Sequence, residues 1–144
     1  MNIRPAVLED VPALVGIHAA SFDMGWDAAA LSACVQAGQA SVIGNPIAGF
    51  VVLAQVLDEA EIITLAVAPQ HRQSGVAKTL LITRFDVLRR AGVSRIFLEV
   101  ASDNVAARHL YNTLGFTQIG IRKAYYHRND GTFVDALTLS RSWA

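Results

Sequence analysis

The spacing of apolar positions changes several times along the chain. Asn2 to Ala6 reads as a short strand. Asp10 then stands as an N-cap with Pro12 in the first turn, and Leu14, Val15 and Ile17 recur at helical spacing toward Ser21. Trp26 to Ala37 is Ala-rich, with Leu31 and Val35 four apart, which predicts a second, shorter helix ending before Gly38. The period then becomes that of strands. Ala40–Ile43, Ile47–Leu57 and Glu61–Val67 are β-branched and apolar, separated by Gly44-Asn45-Pro46 and by Asp58-Glu59, as expected of a meander. From Gly75 the helical period returns: Ala77, Leu81, Phe85 and Leu88 share a face, and Arg89 and Arg90 lie in the last turn before Gly92, where cations suit the helix dipole.

Arg95 to Val100 predicts a strand with Ile96, Leu98 and Val100 on one face and Phe97 and Glu99 on the other. Asp103 is positioned to cap a helix carrying Ala107, Leu110, Tyr111 and Leu114, closed by Gly115. Lys123–His127 and Thr132–Leu139 flank Arg128-Asn129-Asp130-Gly131 as a terminal hairpin. The order β, α, α, several β, α, β, α, β, β defines a mixed α/β (α+β) domain. With 144 residues, no repeat and no linker-like stretch, residues 1–144 are expected to form a single domain.

Composition narrows the partners. Twelve Lys and Arg balance twelve Asp and Glu, and the pI lies near 6.9, which argues against a surface built for nucleic acid or anionic lipid. A single cysteine, Cys34, precludes an internal disulfide framework and suits a reducing compartment, so the cytoplasm is the expected location. Arg4, Glu9 and Asp10 interrupt the start where a secretory signal needs an apolar core, and no apolar run approaches the ~18 residues of a membrane span. A mean hydropathy of +0.36 points to a dense core. His18, His71, His109 and His127 show no ligand spacing, so no metal is expected, and Cys34 on an Ala-rich helix reads as a small apolar residue. The sequence carries no signal of oligomeric state.

Candidate chemistry begins where Glu61–Pro69 leads through Gln70-His71-Arg72-Gln73-Ser74-Gly75 into a helix at Val76-Ala77-Lys78. A strand, a polar loop and a helix start point unpaired N–H groups at an anion, Gly75 allows close backbone approach, and Arg72 and Lys78 add positive charge. An ordinary strand-to-helix loop with solvated basic residues has the same spacing. A nucleotide P-loop is excluded because Arg72 and Ala77 stand at its two glycine positions, and no G-x-G-x-x-G is present.

The run Arg72-Gln73-Ser74-Gly75-Val76-Ala77 resembles the [QR]-x-x-G-x-[GA] loop of the GNAT superfamily of acyl-CoA-dependent N-acetyltransferases. Leu65-Ala66-Val67 before it, Leu98-Glu99-Val100 and Asn104 after it, and His109-Leu110-Tyr111-Asn112-Thr113-Leu114-Gly115-Phe116 near the end extend the resemblance over nearly the whole chain. Within the superfamily, Glu99, Tyr111, Tyr125-Tyr126 and Asp135-Ala136-Leu137 resemble most the bacterial enzymes that acetylate the N-terminal alanine of a ribosomal protein.

The resemblance implies a GNAT-like fold: a central, mostly antiparallel, twisted sheet splayed between two strands and flanked by about four helices. It implies acetyl-CoA as acyl donor. The backbone of Leu65, Ala66 and Val67 would pair with the pantetheine arm, Gln73, Ser74, Gly75, Val76, Ala77 and Lys78 with Arg72 would hold the pyrophosphate, and the Asn104 amide would contact the arm. A main-chain N–H at Ala66 or Val67 would polarise the thioester carbonyl. It further implies Glu99 as general base and Tyr111 as general acid, with Phe22, Trp26, Tyr125 and Tyr126 on the acceptor side, where a protein N-terminus, that of a ribosomal protein, would enter.

Read from the residues alone, Glu99 is equally a half-exposed strand-end carboxylate, Tyr111 a core aromatic, and the four other aromatics loop-to-hairpin packing. A small amine or a lysine is an alternative acceptor, and a non-catalytic acyl-CoA-binding module an alternative of another class. Two positions depart from the family's pattern. Gly25 stands where Pro commonly precedes the Trp, and Ala101 stands where Arg often follows Leu-Glu-Val.

Overall fold

The computed structural model describes residues 1–22 and 25–143. In chain order the elements are β1 (Ile3–Pro5), α1 (Val11–Ala19), α2 (Ala28–Gln36), β2 (Ala40–Ile43), β3 (Gly49–Val56), β4 (Glu59–Val67), α3 (Val76–Arg90), β5 (Arg95–Ala101), α4 (Val105–Thr113), β6 (Thr117–His127) and β7 (Phe133–Ser142), with short 3-10 turns at Leu8–Asp10 and Pro69–His71. The seven strands form one sheet in the order β1-β2-β3-β4-β5-β7-β6. This is the mixed α/β architecture expected from the sequence.

The chain divides into two compact units. The first comprises residues 1–54 and 63–87. Its core gathers Val11, Leu14 and Ile17 of α1, Leu31 and Val35 of α2, Ala40 and Val42 of β2, and Phe50 and Val52 of β3. The alternate strand residues Ser41, Ile43, Val51 and Leu53 are buried as well. Strands covered on both faces read as continuous apolar runs, which is why these segments lack polar alternation. Asp27 caps α2 by accepting from the Ala30 N–H at 2.9 Å. Asp10 sits at the N-cap position of α1, yet its carboxylate makes no cap bond there. It accepts instead from Arg4 at 2.7 and 2.9 Å and from the Val7 N–H at 2.8 Å, locking the turn that precedes the helix.

The second unit comprises residues 55–62 and 88–144. Here β4 and β5 pair in parallel from Glu59↔Arg95 to Ile62↔Leu98, and β5 pairs antiparallel with β7 from Arg95↔Ser142 to Ala101↔Ala136. Strand β5 is therefore central, and its buried face (Ile96, Leu98, Val100) lies alongside Leu139 and Leu137 of β7 in direct cross-strand register. Edge strand β6 begins at Thr117, six residues before the hairpin arm read from the sequence. It is exposed along most of its length, so no buried face imposes a period on residues 117–122. A second correction concerns α4. Its N-cap is Asn104, whose side chain accepts from the Ala107 N–H at 3.1 Å, while Asp103 pairs with Arg128 of the hairpin at 2.6 Å. Gly115, at φ 84°, ends α4 and allows Phe116 N–H to return to Tyr111 O at 3.0 Å.

Candidate active site

In the first unit, residues 72–78 form the loop into α3. The helix ladder starts at Thr79 N–H to Gly75 O, 3.0 Å, and among the described residues the N–H groups of 73–78 donate to no backbone carbonyl. Gly75 has φ 82° and open space where a Cβ would stand, and Gln73 also adopts positive φ, at 59°. Successive unpaired amides, one of them bare of side chain, at the N-terminus of a 15-residue helix suit a diphosphate. Lys78 is exposed beside them, and the Ser74 hydroxyl donates back to His71 O. The Arg72 guanidinium is already engaged: Nη2 donates to Ala20 O at 3.0 Å and Ser21 Oγ at 3.1 Å, and Nε to Val67 O at 3.3 Å. Its side chain thus ties the loop to the end of α1 and to β4. On β4, Ala66 is buried, and Leu65 and Val67 are half-buried.

Phe22 and Trp26 gather around a residue that the sequence offered only as a non-ligand, His18. Its ring stacks on Phe22 at 4.4 Å and tilts against Trp26 at 5.3 Å.

In the second unit, Glu99 stands on β5 with its side chain 28% exposed, opposite Thr138 of β7. Arg122 of β6 brings Nε to 3.0 Å from Glu99 Oε2, and its guanidinium lies 4.8 Å over the Tyr125 ring. The approach lacks hydrogen-bond alignment, so Oε2, itself buried, meets a charge without a donated hydrogen bond. Tyr125 and Tyr126 pack edge-to-face at 5.3 Å. The Tyr126 hydroxyl is pushed up from its ordinary pKa, first by burial and then by the Glu99 carboxylate. Tyr111, 5% exposed, is pushed up strongly, first by burial and then by Tyr126. Tyr126 is therefore electrostatically coupled to both Glu99 and Tyr111, a grouping that the sequence did not reveal.

A kink in β6 makes this possible. Pairing with β7 slips between Arg122 and Tyr126, Ala124 takes φ 51°, and its N–H donates to Asp135 Oδ1 at 2.8 Å while Lys123 lies 3.6 Å from Oδ2. Asn104, exposed at the start of α4, uses its Oδ1 as the cap by accepting from the Ala107 N–H.

Residues 15–116 match the acetyltransferase (GNAT) family model, and the chain belongs to that family. A protein of Haemophilus ducreyi named [ribosomal protein bS18]-alanine N-acetyltransferase is 39% identical over 94 residues, 65% of each chain. An Escherichia coli protein of the same name is 40% identical over 84 residues, 58% of this chain and 57% of its own. The chain thus matches somewhat less than two thirds of the length of these curated relatives. The crystal structure of the ribosomal-protein-S18-alanine N-acetyltransferase from Escherichia coli superimposes with a TM-score of 0.90 at 30% identity, covering 99% of this chain and 95% of that one, so the fold is GNAT-like.

Proposed function

We propose that residues 1–144 act as one domain that transfers the acetyl group of acetyl-CoA to a protein N-terminal α-amine, and that the acceptor is the N-terminal alanine of a ribosomal protein. The observation that carries this reading is Glu99: a partly exposed carboxylate on a central strand, with Arg122 Nε 3.0 Å from its Oε2 and a charge that helps raise the Tyr126 hydroxyl pKa. The names of the relatives support the acceptor.

Acetyl-CoA supplies the activated acyl carbonyl and a thiolate leaving group. Gln73 to Lys78 would hold its diphosphate through backbone N–H groups, with Arg72 bracing that loop. The backbone of Leu65, Ala66 and Val67 would pair with the pantetheine, a main-chain N–H at Ala66 or Val67 would polarise the thioester, and the Asn104 amide would contact the arm. Glu99 takes the proton of the attacking amine, directly or through water. An α-amine of pKa ~7.8 is roughly a third neutral at about pH 7.5, and a lysine of pKa ~10.4 only about a thousandth, so an N-terminal acceptor needs less from its base. Tyr111 keeps its proton over the working pH range and offers its hydroxyl to the departing sulfur. Phe22, Trp26, Tyr125 and Tyr126 would line the acceptor side. The cytoplasm is the proposed compartment. Among the described residues no helix is long and apolar enough to cross a membrane.

A panel of acetyl acceptors tests the reading: peptides with free N-terminal alanine, the same peptides N-terminally blocked but carrying lysine, and small amines. Turnover confined to free N-termini is expected. Turnover of free amines or lysines alone would assign a different acceptor to the same fold.

A further inference from the structure

We propose that His18 is a positioning residue for acceptor binding, a neutral imidazole strut that fixes the chain at Trp26 against Thr64 of β4 and so sets Phe22 and Trp26 for an entering N-terminus. The acceptor part of this inference rests on the function proposed above. The strut itself rests on geometry.

His18 lies in the last turn of α1 and is only 2% exposed. The Trp26 backbone N–H donates to its Nδ1 at 3.1 Å, and its Nε2 lies 3.1 Å from Thr64 Oγ1. A ring nitrogen that accepts carries no proton, so Nδ1 is bare and the Nε2 proton is donated to the Thr64 hydroxyl. The imidazole is held on its faces by Phe22 at 4.4 Å, Trp26 at 5.3 Å and Phe50 of β3 at 6.2 Å. One side chain of α1 thus contacts Phe22, Trp26 and Thr64 of β4, next to Leu65-Ala66-Val67. Both ring nitrogens are used, one by the Trp26 backbone N–H and the other by the Thr64 hydroxyl, 46 residues away from His18 in the chain.

The strut exists in one protonation state. A proton on Nδ1 would face the Trp26 N–H and break that bond. Burial lowers the pKa of His18 from 6.5, and no charge among the described residues contributes to the shift. Around it, α1 and the following turn present Ser21, bonded to Arg72 from the coenzyme loop; the segment before α2 presents Asp27, spent on capping; β3 presents Phe50 and β4 Thr64. The sign follows. Above pH 6.5 both folded and unfolded chains hold His18 neutral. As pH falls through 6.5 the unfolded chain gains a proton that the fold still refuses, so stability falls until the folded imidazole also titrates, and the Trp26 bond is then lost.

Trp26 and Trp143 are the two tryptophans, so Trp143→Phe leaves Trp26 as the single emitter. In that background its fluorescence, titrated from about pH 8 to about pH 5, should show one protonation step below 6.5 that is absent in His18→Gln and His18→Asn. Asn reaches the Nδ1 position and can accept from Trp26, whereas Gln reaches toward Thr64 alone. Peptide KM should therefore rise on the order of tenfold in His18→Gln and recover in His18→Asn, with acetyl-CoA KM unchanged in both. Should neither variant fold, Thr64→Val removes the Nε2 partner and should move the emission step to lower pH.

Emission that is flat with pH, or that steps equally in His18→Gln, overturns the strut. A peptide KM unmoved in a folded His18→Gln overturns the acceptor role. Absence of turnover with every peptide while the emission step persists would overturn the proposed function and, with it, the acceptor role, and leave the strut standing.

Discussion

At the scale of single residues, the proposed function assigns the proton work to Glu99 and Tyr111, whose environments differ. Glu99 keeps partial solvent access, with Arg122 Nε 3.0 Å from its Oε2. Tyr111 is buried on α4, and that burial holds the phenol protonated. Glu99→Gln should lower kcat about 10²-fold, at the low end for a lost general base because part of the α-amine is already neutral. Tyr111→Phe should lower kcat about 10-fold to 10²-fold and leave acetyl-CoA affinity unchanged, since one hydroxyl and little packing are removed. Steady-state kinetics together with calorimetric acetyl-CoA binding separates the two. A Tyr111→Phe variant with wild-type kcat would remove Tyr111 from the chemistry. Arg122 was not legible in the sequence as a partner of Glu99, because the 3.0 Å contact depends on how β6 registers on β7 and β7 on β5. The same holds for His18 and Thr64, 46 residues apart.

At the scale of elements, the loop proposed to hold the coenzyme, residues 72–78, and the β6 kink are the two local devices on which the proposed function depends. Gly75 combines a left-handed φ of 82° with unpaired amides around it. Gly75→Asp therefore adds a side chain in a conformation costing about 1–2 kcal/mol and a negative charge where a diphosphate would sit. Acetyl-CoA binding in calorimetry should be lost while the circular dichroism spectrum is kept; unchanged affinity would detach the loop from the coenzyme. Elements with a strong period or a clear punctuation mark were readable: β2 as Ala40–Ile43, α3 from just after Gly75, β5 from Arg95. The early half of β6 was not, because an exposed edge strand has no apolar alternation to display. The cap of α4 is Asn104 and not the Asp103 expected from the sequence. Asp103 and Asn104 are both good caps, and the pull of Arg128 on Asp103, a contact between segments 25 residues apart, goes with the choice of Asn104.

At the scale of the whole chain, the family and the fold were legible because the motif residues lie at fixed offsets within elements: Gly75 at the start of α3, Glu99 on β5, and Tyr111 one turn before Gly115 on α4. The proposed acceptor rests on resemblance and the relatives' names, since the aromatic residues assigned to its side sit outside any period. The central claim is acetyl transfer from acetyl-CoA to an N-terminal α-amine with Glu99 as base. Tandem mass spectrometry of an alanine-initiated ribosomal-protein peptide, incubated with acetyl-CoA and either wild-type protein or Glu99→Gln, tests it most directly. The account predicts a single gain of about 42 Da placed on the first residue, formed by the wild type and reduced about 10²-fold in the variant. A gain placed on a lysine side chain, or one formed equally fast by Glu99→Gln, would contradict it.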